Sequence, residues 1–190
     1  MCLNGGGPQF MPYPSISFYV VCETKEEVER AWAPLIEGGQ AIMPLDRYDR
    51  SEKYGWVQDR YGISWQLTFG RIPDVGRKFS PLLMFTGEKA GKAEEAIRFY
   101  TSLFKPSSIV GIIKYEKGEP DVEGTVKHTR FKLGGQAFMA MDSSRSHAFD
   151  FNEAISLVVE CDTQEEIDRY WDRLTSKGEA SMCGWLKDRY

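Results

Sequence analysis

Residues 15–32 are SISFYVVCETKEEVERAW and residues 154–171 are AISLVVECDTQEEIDRYW, so the two stretches align without a gap and place Cys22 opposite Cys161. Each stretch opens with a short apolar run rich in β-branched residues, which is typical of a strand. A threonine followed three residues later by a glutamate comes next in both, and this capping box marks the start of a helix. The repeat therefore predicts the same strand-then-helix unit twice.

The similarity extends beyond the helices, and a further unit lies between the two copies. Residues 55–61 (GWVQDRY) match residues 184–190 (GWLKDRY). In the first copy an apolar run follows Tyr61. The corresponding run in the second copy would come after Tyr190, the last residue of the sequence. Residues 81–142 show the order strand, helix and three strands, with an apolar helical stripe in residues 93–104. The chain is therefore expected to contain three related units.

These patterns predict an α+β protein built from βαβββ units. We expect a first unit at residues 1–70, a linker at 71–80 and a domain at 81–190. That domain comprises a middle unit, 81–142, and a third unit, 147–190, which lacks its last strand. Because both outer units compete for one middle unit, the first unit should either dock there in place of the third or self-associate. Unpaired strand edges favour self-association, as a homodimer or a strand-exchanged assembly.

Composition and charge exclude several classes of protein. The chain carries 24 basic and 28 acidic residues, a net charge of −4, which provides no basic surface for nucleic acid or anionic membranes. No apolar run is long enough to span a bilayer. The four cysteines form no CxxC pair and the two histidines lack zinc-finger spacing, which predicts free thiols and a cytoplasmic location.

Five stretches carry a resemblance to a known family. They are GKAEEAIRFY (91–100), EGTVKH (123–128), QAFMAMD (136–142), FNEAIS (151–156) and CGWLKD (183–188). Together they resemble the PhnB-like branch of the vicinal oxygen chelate superfamily, the glyoxalase and dioxygenase class, whose domains often bear the label demethylubiquinone methyltransferase. The resemblance covers nearly the whole chain. It implies paired βαβββ units whose curved mixed sheets enclose a cleft, as in the glyoxalase-like fold.

The metal ligands that this resemblance would bring are missing from the sequence. Members with metal-dependent chemistry place His, Gln or Glu inside the cleft, where a divalent ion acts as a Lewis acid. The matching positions hold Pro81, Ala154 (Ser15 in the first unit) and Gln66, so we expect no bound metal. We expect no cofactor either, because the Gly5–Gly7 run does not follow a full strand as the glycine-rich turn of common S-adenosylmethionine enzymes does. The methyltransferase label then describes the family and not an activity.

The strand predicted within residues 125–133 supplies the candidate site. Its alternation directs Phe131 toward the helix and the opposite set toward the cleft, namely Val126, His128 and Arg130. His128 is the candidate catalytic residue, as a proton shuttle, and Arg130 is suited to bind an anionic ligand. The remaining candidate ligand-binding residues are Ser156, Gln66 and Glu153. The alternative is that His128 and Arg130 lie on a solvated sheet face or pair with Glu153.

Two functions from different classes fit these observations. The first is a metal-independent enzyme or binding protein that acts on an unknown small molecule in the cleft. The second is a non-catalytic scaffold or partner-binding module. Neither involves nucleic acid or a membrane as a partner.

Overall fold

A computed structural model describes residues 10–190, so Cys2 and the Gly5–Gly7 run lie outside the described residues. The strands are β1 (Ile16–Cys22), β2 (Gln40–Tyr48), β3 (Ser51–Gln58), β4 (Ser64–Phe69), β5 (Phe79–Phe85), β6 (Ser107–Lys114), β7 (Val126–Leu133), β8 (Gln136–Asp142), β9 (Glu179–Ala180) and β10 (Leu186–Lys187). The α-helices are α1 (Lys25–Ile36), α2 (Ile72–Val75), α3 (Ala93–Leu103) and α4 (Gln164–Thr175).

Eight of these strands form one sheet in the order β2-β3-β4-β1-β5-β8-β7-β6. β1 runs parallel to β4 and antiparallel to β5, and β5 runs parallel to β8. The first unit supplies β1 to β4, the middle unit supplies β5 to β8, and the β1–β5 pair joins the two halves. The sheet is open, with β2 and β6 at its edges. This confirms the predicted α+β class with a large mixed sheet.

The two predicted capping boxes are confirmed. The Thr24 hydroxyl accepts a hydrogen bond from the Glu27 amide at 3.1 Å, and the Glu27 carboxylate accepts one from the Glu23 amide at 2.9 Å. Thr163 and Glu166 make the same two contacts at the start of α4. Each cap satisfies amides that the first helical turn leaves without an intrahelical partner, so α1 and α4 begin where the local sequence places them.

Helices α1 and α3 cover one face of the sheet. Val28 of α1 packs against Val20 and Leu67 of the first half. In the second half, Ile97 of α3 packs against the Phe131 side of β7. Burying one such side chain contributes about 1.5–3 kcal/mol, so each helix is held by its apolar stripe.

The opposite face, which we call the open face, is covered by neither α1 nor α3. Its apolar centre consists of Trp56, Leu82, Met84 and Met139. The short helix α2 in the connection between the two halves places Val75 against one end of this centre. Polar side chains surround the centre, and they form the candidate site.

The third unit differs from the prediction at its first strand. Residues 155–161 belong to no strand, and Leu157, Val158 and Val159 are 50%, 68% and 44% exposed. The physical reason is competition, because β1 already occupies the antiparallel edge of β5 and a strand edge pairs with one neighbour at a time. The end of the chain still packs on α3, where the Tyr100 hydroxyl donates a hydrogen bond to Asp188 Oδ2 at 2.7 Å.

The first unit therefore docks on the middle unit within one chain, which is one of the two arrangements that the sequence left open. Self-association and the division into domains at residues 71–80 stay predictions. None of the helices in residues 10–190 is long and apolar enough to cross a membrane.

Candidate functional site

A buried polar cluster lies on the first half of the open face. Gln66 on β4 is only 4% exposed, and its Nε2 donates a hydrogen bond to the Ser17 hydroxyl of β1 at 2.9 Å. The Tyr54 hydroxyl of β3 donates to Gln66 Oε1 at 2.8 Å, and burial raises the pKa of that phenol. Both ends of the Gln66 amide are therefore occupied by protein partners. Gln66 lies on the open face as a polar lining residue, and these two hydrogen bonds fix the orientation of its amide.

On the second half of the open face, β7 carries the predicted His128 and Arg130. Arg130 pairs across the sheet with Met139 of the apolar centre, whereas Phe131 pairs with Phe138 beneath α3. Side chains alternate along a strand, so Arg130 lies on the face opposite Phe131, as predicted. His128 follows the same alternation, so it lies on the open face with Arg130.

The prediction for Val126 is wrong, since this side chain lies in the core beneath α3 with Phe131. The cause is a register shift between β6 and β7. Ile113 pairs with His128 and the next residue, Lys114, pairs with Val126, which leaves Lys127 as an extra residue. Such a bulge reverses the alternation of every side chain beyond it.

The environment of His128 keeps its imidazole neutral. Burial, together with the positive charges of Arg50 and Arg130, lowers the pKa of His128 to about 4. At pH 7 this side chain therefore carries no charge and can either donate or accept a hydrogen bond. A group with this pKa is a weak base near neutral pH, so the arrangement favours hydrogen bonding to a ligand over proton transfer.

A cavity of about 120 Å³ opens where the connection between the two halves passes the open face. The turn at residues 73–76 lines one side, and Ser80, Arg130 and Met139 line the other. Ser80 is fully buried, and its hydroxyl has no hydrogen-bond partner in the part of the chain that the structure describes. Arg130 takes part in none of the ion pairs among the described residues. Ser80, whose hydroxyl has no partner among the described residues, and Arg130, which forms none of the described ion pairs, thus line the same cavity.

The charge at the rim of this cavity is net positive. Lys132 and Asp74 also line it, and both are exposed. Together with Arg130, the lining contains two cations and one carboxylate. A guanidinium presents a planar fork of donors that matches a carboxylate or phosphate, so this lining is suited to an anion.

Two predicted site residues lie away from this face. Ser156 is exposed in the segment that forms no strand, and Glu153 forms an ion pair with Lys187. The Lys187 ammonium holds the pKa of the Glu153 carboxyl below its usual range. The structure therefore brings His128, Arg130 and Gln66 to one face of the sheet, but not Ser156 or Glu153, and the alternative pairing with Glu153 is wrong.

Sequence reasoning missed Ser80 and Arg50. The spacing of Ser80 from Leu82 and Met84 could have placed it on the open face, because these residues share one face of β5. Arg50 lies in the turn between β2 and β3, where no periodic signal indicates that its charge acts on His128.

His147 lies half-buried in the loop after β8. Its Nε2 lies 2.8 Å from the Ser143 hydroxyl, and its ring lies 4.8 Å from that of Phe149. Burial lowers the pKa of His147 as well. Ser143 is only 4% exposed, so this contact orders the loop after β8 and does not present an accessible nucleophile.

The residues present do not fit the metal site that the family resemblance implies. Across residues 10–190, no three His, Cys, Asp or Glu side chains lie together in a way that could hold a metal ion. Pro81 and Ala154 offer no side-chain donor, and Gln66 already uses both ends of its amide. The absence of a bound metal stays a prediction.

The sequence model of the 3-demethylubiquinone-9 3-methyltransferase family matches residues 1–68 and 77–190. The chain belongs to this family. The PhnB protein of Bacillus cereus is 45% identical, with a TM-score of 0.56, over 60% of this chain and 93% of that one. A protein from Staphylococcus aureus is 36% identical over 52% of this chain and 68% of that one, with a TM-score of 0.28. Glyoxalase I from Zea mays is 10% identical over 73% of this chain and 44% of that one, with a TM-score of 0.45. No curated protein matches.

Membership of this PhnB-like family confirms the resemblance on which the fold prediction depended. It establishes no specific activity for this chain. Residues 69–76 fall outside the matched ranges, and they contain α2 and the turn that closes the cavity next to Ser80. That wall of the cavity is therefore formed by a segment that the family model does not describe.

Proposed function

We propose that this chain is a metal-independent protein that binds a small organic anion on the open face, with the acid group of the ligand held by Arg130 and Ser80. The unpaired Ser80 hydroxyl is the observation that carries this proposal. A buried polar group without a partner costs about 1–3 kcal/mol. A ligand oxygen at this position would recover the lost hydrogen bond.

The charge of the cavity supports an anion over a neutral ligand. An arginine guanidinium is a cation in proteins, and Arg130 has no carboxylate partner among the described residues. A carboxylate accepting two parallel hydrogen bonds from this guanidinium would form the stronger, charge-assisted type of contact.

The size of the cavity sets the scale of the group that it holds. A volume of about 120 Å³ is well above the roughly 10–15 Å³ of accessible space that one water molecule needs. A carboxylate with one or two carbons fits this space. The remainder of a larger ligand would extend along β7 toward His128 and contact the apolar centre at Met139.

His128 supplies orientation in this proposal. Two residues along a strand are about 6.5 Å apart, so His128 would reach a ligand atom several bonds away from the acid group at Arg130. Its neutral imidazole would hydrogen-bond a hydroxyl or carbonyl there. A catalytic role for His128 would then involve a proton transfer between this nitrogen and that ligand atom.

The proposal is tested by titrating the protein with acetate and propionate, with acetamide as the neutral analogue, and following amide chemical shifts by NMR. Binding of the carboxylates should perturb residues around Ser80 and Arg130, and acetamide should not. Arg130→Gln should weaken carboxylate binding by about tenfold or more, because a charge-assisted hydrogen bond contributes about 1.5–3 kcal/mol. Arg98→Gln is the matched control, since Arg98 is exposed on α3.

Ser80→Ala separates binding from folding. Removing a hydroxyl that has no partner should leave the free energy of unfolding unchanged or higher, while carboxylate binding weakens. Equal affinity of the wild-type protein for acetate and acetamide would contradict the proposal. So would carboxylate affinity that is unchanged in both Arg130→Gln and Ser80→Ala.

A scaffold or partner-binding role is the second candidate, and the exposed apolar segment 155–161 favours it. Self-association stays a proposal that sedimentation at micromolar concentration tests, and a clean monomer would contradict it. We also propose a cytoplasmic location, with no nucleic-acid or membrane partner, which cell fractionation can check.

A further inference from the structure

We propose that the antiparallel edge of β5 is a binding site for two alternative strands of this chain, and that residues 155–161 can replace β1 there. The observed structure has β1 in this position. The alternative occupant is the segment that the structure leaves outside the sheet. This inference concerns the sheet itself and does not depend on the proposed ligand.

The two segments match at the positions that face a covering helix. Residues 155–161 are ISLVVEC and β1 is ISFYVVC, which are identical at four of the seven positions. The helix-facing side chains of β1 include Val20 and Cys22, and these correspond to Val159 and Cys161. The alternative strand could therefore present the same type of apolar surface to a covering helix.

Both strands enter the site from the same end. The Ser15 hydroxyl, immediately before β1, donates a hydrogen bond to the Asp150 carbonyl at 2.9 Å. Thr86, immediately after β5, donates to the Phe149 carbonyl at 2.9 Å, and the Phe151 ring lies 5.1 Å from that of Phe85. The chain at residues 149–151 is thus held beside the end of β5, four residues before the alternative strand begins.

With β1 paired to β5, apolar side chains remain exposed both in residues 155–161 and beside the β1–β5 pair. Val158 is 68% exposed, which removes the favourable burial that the same residue would have within a sheet. Near the β1–β5 junction, an open and largely apolar pocket of about 230 Å³ is lined by Val20, Cys22 and Phe79, with the Glu27 and Lys78 side chains also in its lining. The apolar side chains in this pocket lack part of the packing contacts that a closed core would give them.

Exchange would change the chemistry of the open face. Tyr19 and Val21 of β1 would give way to Val158 and Glu160, because their positions in the repeat correspond. Tyr19 lies close enough to Arg130 for that charge to affect its pKa, so the exchange would remove a phenol from the neighbourhood of Arg130. The choice of strand would thereby control the surface that faces a ligand.

Disulfide trapping tests this proposal in the full chain. Tyr19 lies opposite Ser80 across the β1–β5 pair, so Val158 would lie opposite Ser80 after exchange. In a background without the four native cysteines, Tyr19→Cys with Ser80→Cys reports the observed pairing. Val158→Cys with Ser80→Cys reports the exchanged one. Val159→Cys with Ser80→Cys is the matched control, because adjacent side chains on a strand point to opposite faces.

Mild oxidation should form a cross-link within a single chain in each of two variants, Tyr19→Cys with Ser80→Cys and Val158→Cys with Ser80→Cys. The control variant, Val159→Cys with Ser80→Cys, should stay reduced. Adding Val159→Asp should abolish the Val158–Ser80 cross-link, since it would bury a charge in the exchanged state. It should not affect the Tyr19–Ser80 cross-link, because Val159 is exposed when β1 is in place. Circular dichroism of the reduced variants establishes that each is folded.

Two results would overturn the proposal. One is a Val158–Ser80 cross-link no more abundant than that of the Val159 control. The other is a Val158–Ser80 cross-link found only in covalent dimers, which would assign the segment to a second copy of the chain and not to exchange within one chain.

Discussion

Acidification should destabilise this protein through His128. The pKa of His128 is about 4 in the folded protein and about 6.5 in an unfolded chain. The folded state therefore binds fewer protons than the unfolded state between these values, and the free energy of unfolding falls as the pH drops below about 6.5. Above that pH neither state is protonated at His128, and the side chain contributes no pH dependence.

The size of this effect follows from the difference between the two pKa values. One pKa unit corresponds to about 1.4 kcal/mol, so lowering the pH from 7 to 4.5 should cost about 2.5 kcal/mol through His128 alone. His128→Gln removes the titrating group and keeps a neutral hydrogen-bonding side chain. The variant should therefore lose about 2.5 kcal/mol less than the wild-type protein over this pH interval.

Urea unfolding at pH 7 and pH 4.5, for the wild-type protein and the variant, measures this difference. Carboxylates and other titrating groups act in both proteins, so they cancel when the two pH dependences are subtracted. His147→Gln is the matched control, and its smaller burial predicts a smaller difference. The same pH dependence in His128→Gln as in the wild-type protein would refute the reasoning, as would an NMR titration that gives His128 a pKa near 6.5.

Three further predictions can be checked with simple measurements. Gly55→Ala should destabilise the protein by about 1–3 kcal/mol in urea unfolding, because the new Cβ would lie 2.4 Å from the Trp32 ring. Gly111→Ala should be nearly neutral, since no atom lies within 4 Å of its Cβ position, and equal effects of the two variants would contradict this. Elemental analysis of the purified protein should find no stoichiometric metal, whereas one tightly held ion per chain would disprove the interpretation of Gln66 and Pro81. Tyr54→Phe should lower stability by about 1 kcal/mol, the net value of a hydrogen bond, because it frees Gln66 Oε1; unchanged stability would show that this contact contributes nothing.

Local sequence determined the helix starts and the faces of most strands. The capping boxes at Thr24 and Thr163 depend on atoms three residues apart, so they form wherever the chain folds into a helix. Strand alternation likewise placed Arg130 and Phe131 on opposite faces of the sheet. Alternation gave the wrong face for Val126. The bulge that turns this side chain into the core depends on how β6 pairs with β7, and the pattern within β7 does not contain that information.

The candidate site could be predicted only in part. His128 and Arg130 lie on the expected face because their positions follow from the period of β7, and Gln66 lies there as its match to the family's ligand position implied. The cavity next to Ser80 could not be predicted, since it arises where α2, β5, β7 and β8 meet from distant parts of the sequence. The low pKa of His128 has the same origin, because it depends on burial and on two arginines, one of which lies in another unit.

The sequence by itself determined that two segments, β1 and residues 155–161, have the character of the same strand. Only the tertiary structure decided which of them pairs with β5. Strand character depends on the residues within a segment, but each edge of a strand offers its amide and carbonyl groups to one neighbour. When two similar segments compete for one edge, the free energy of the whole arrangement selects the occupant, and no local pattern contains that comparison.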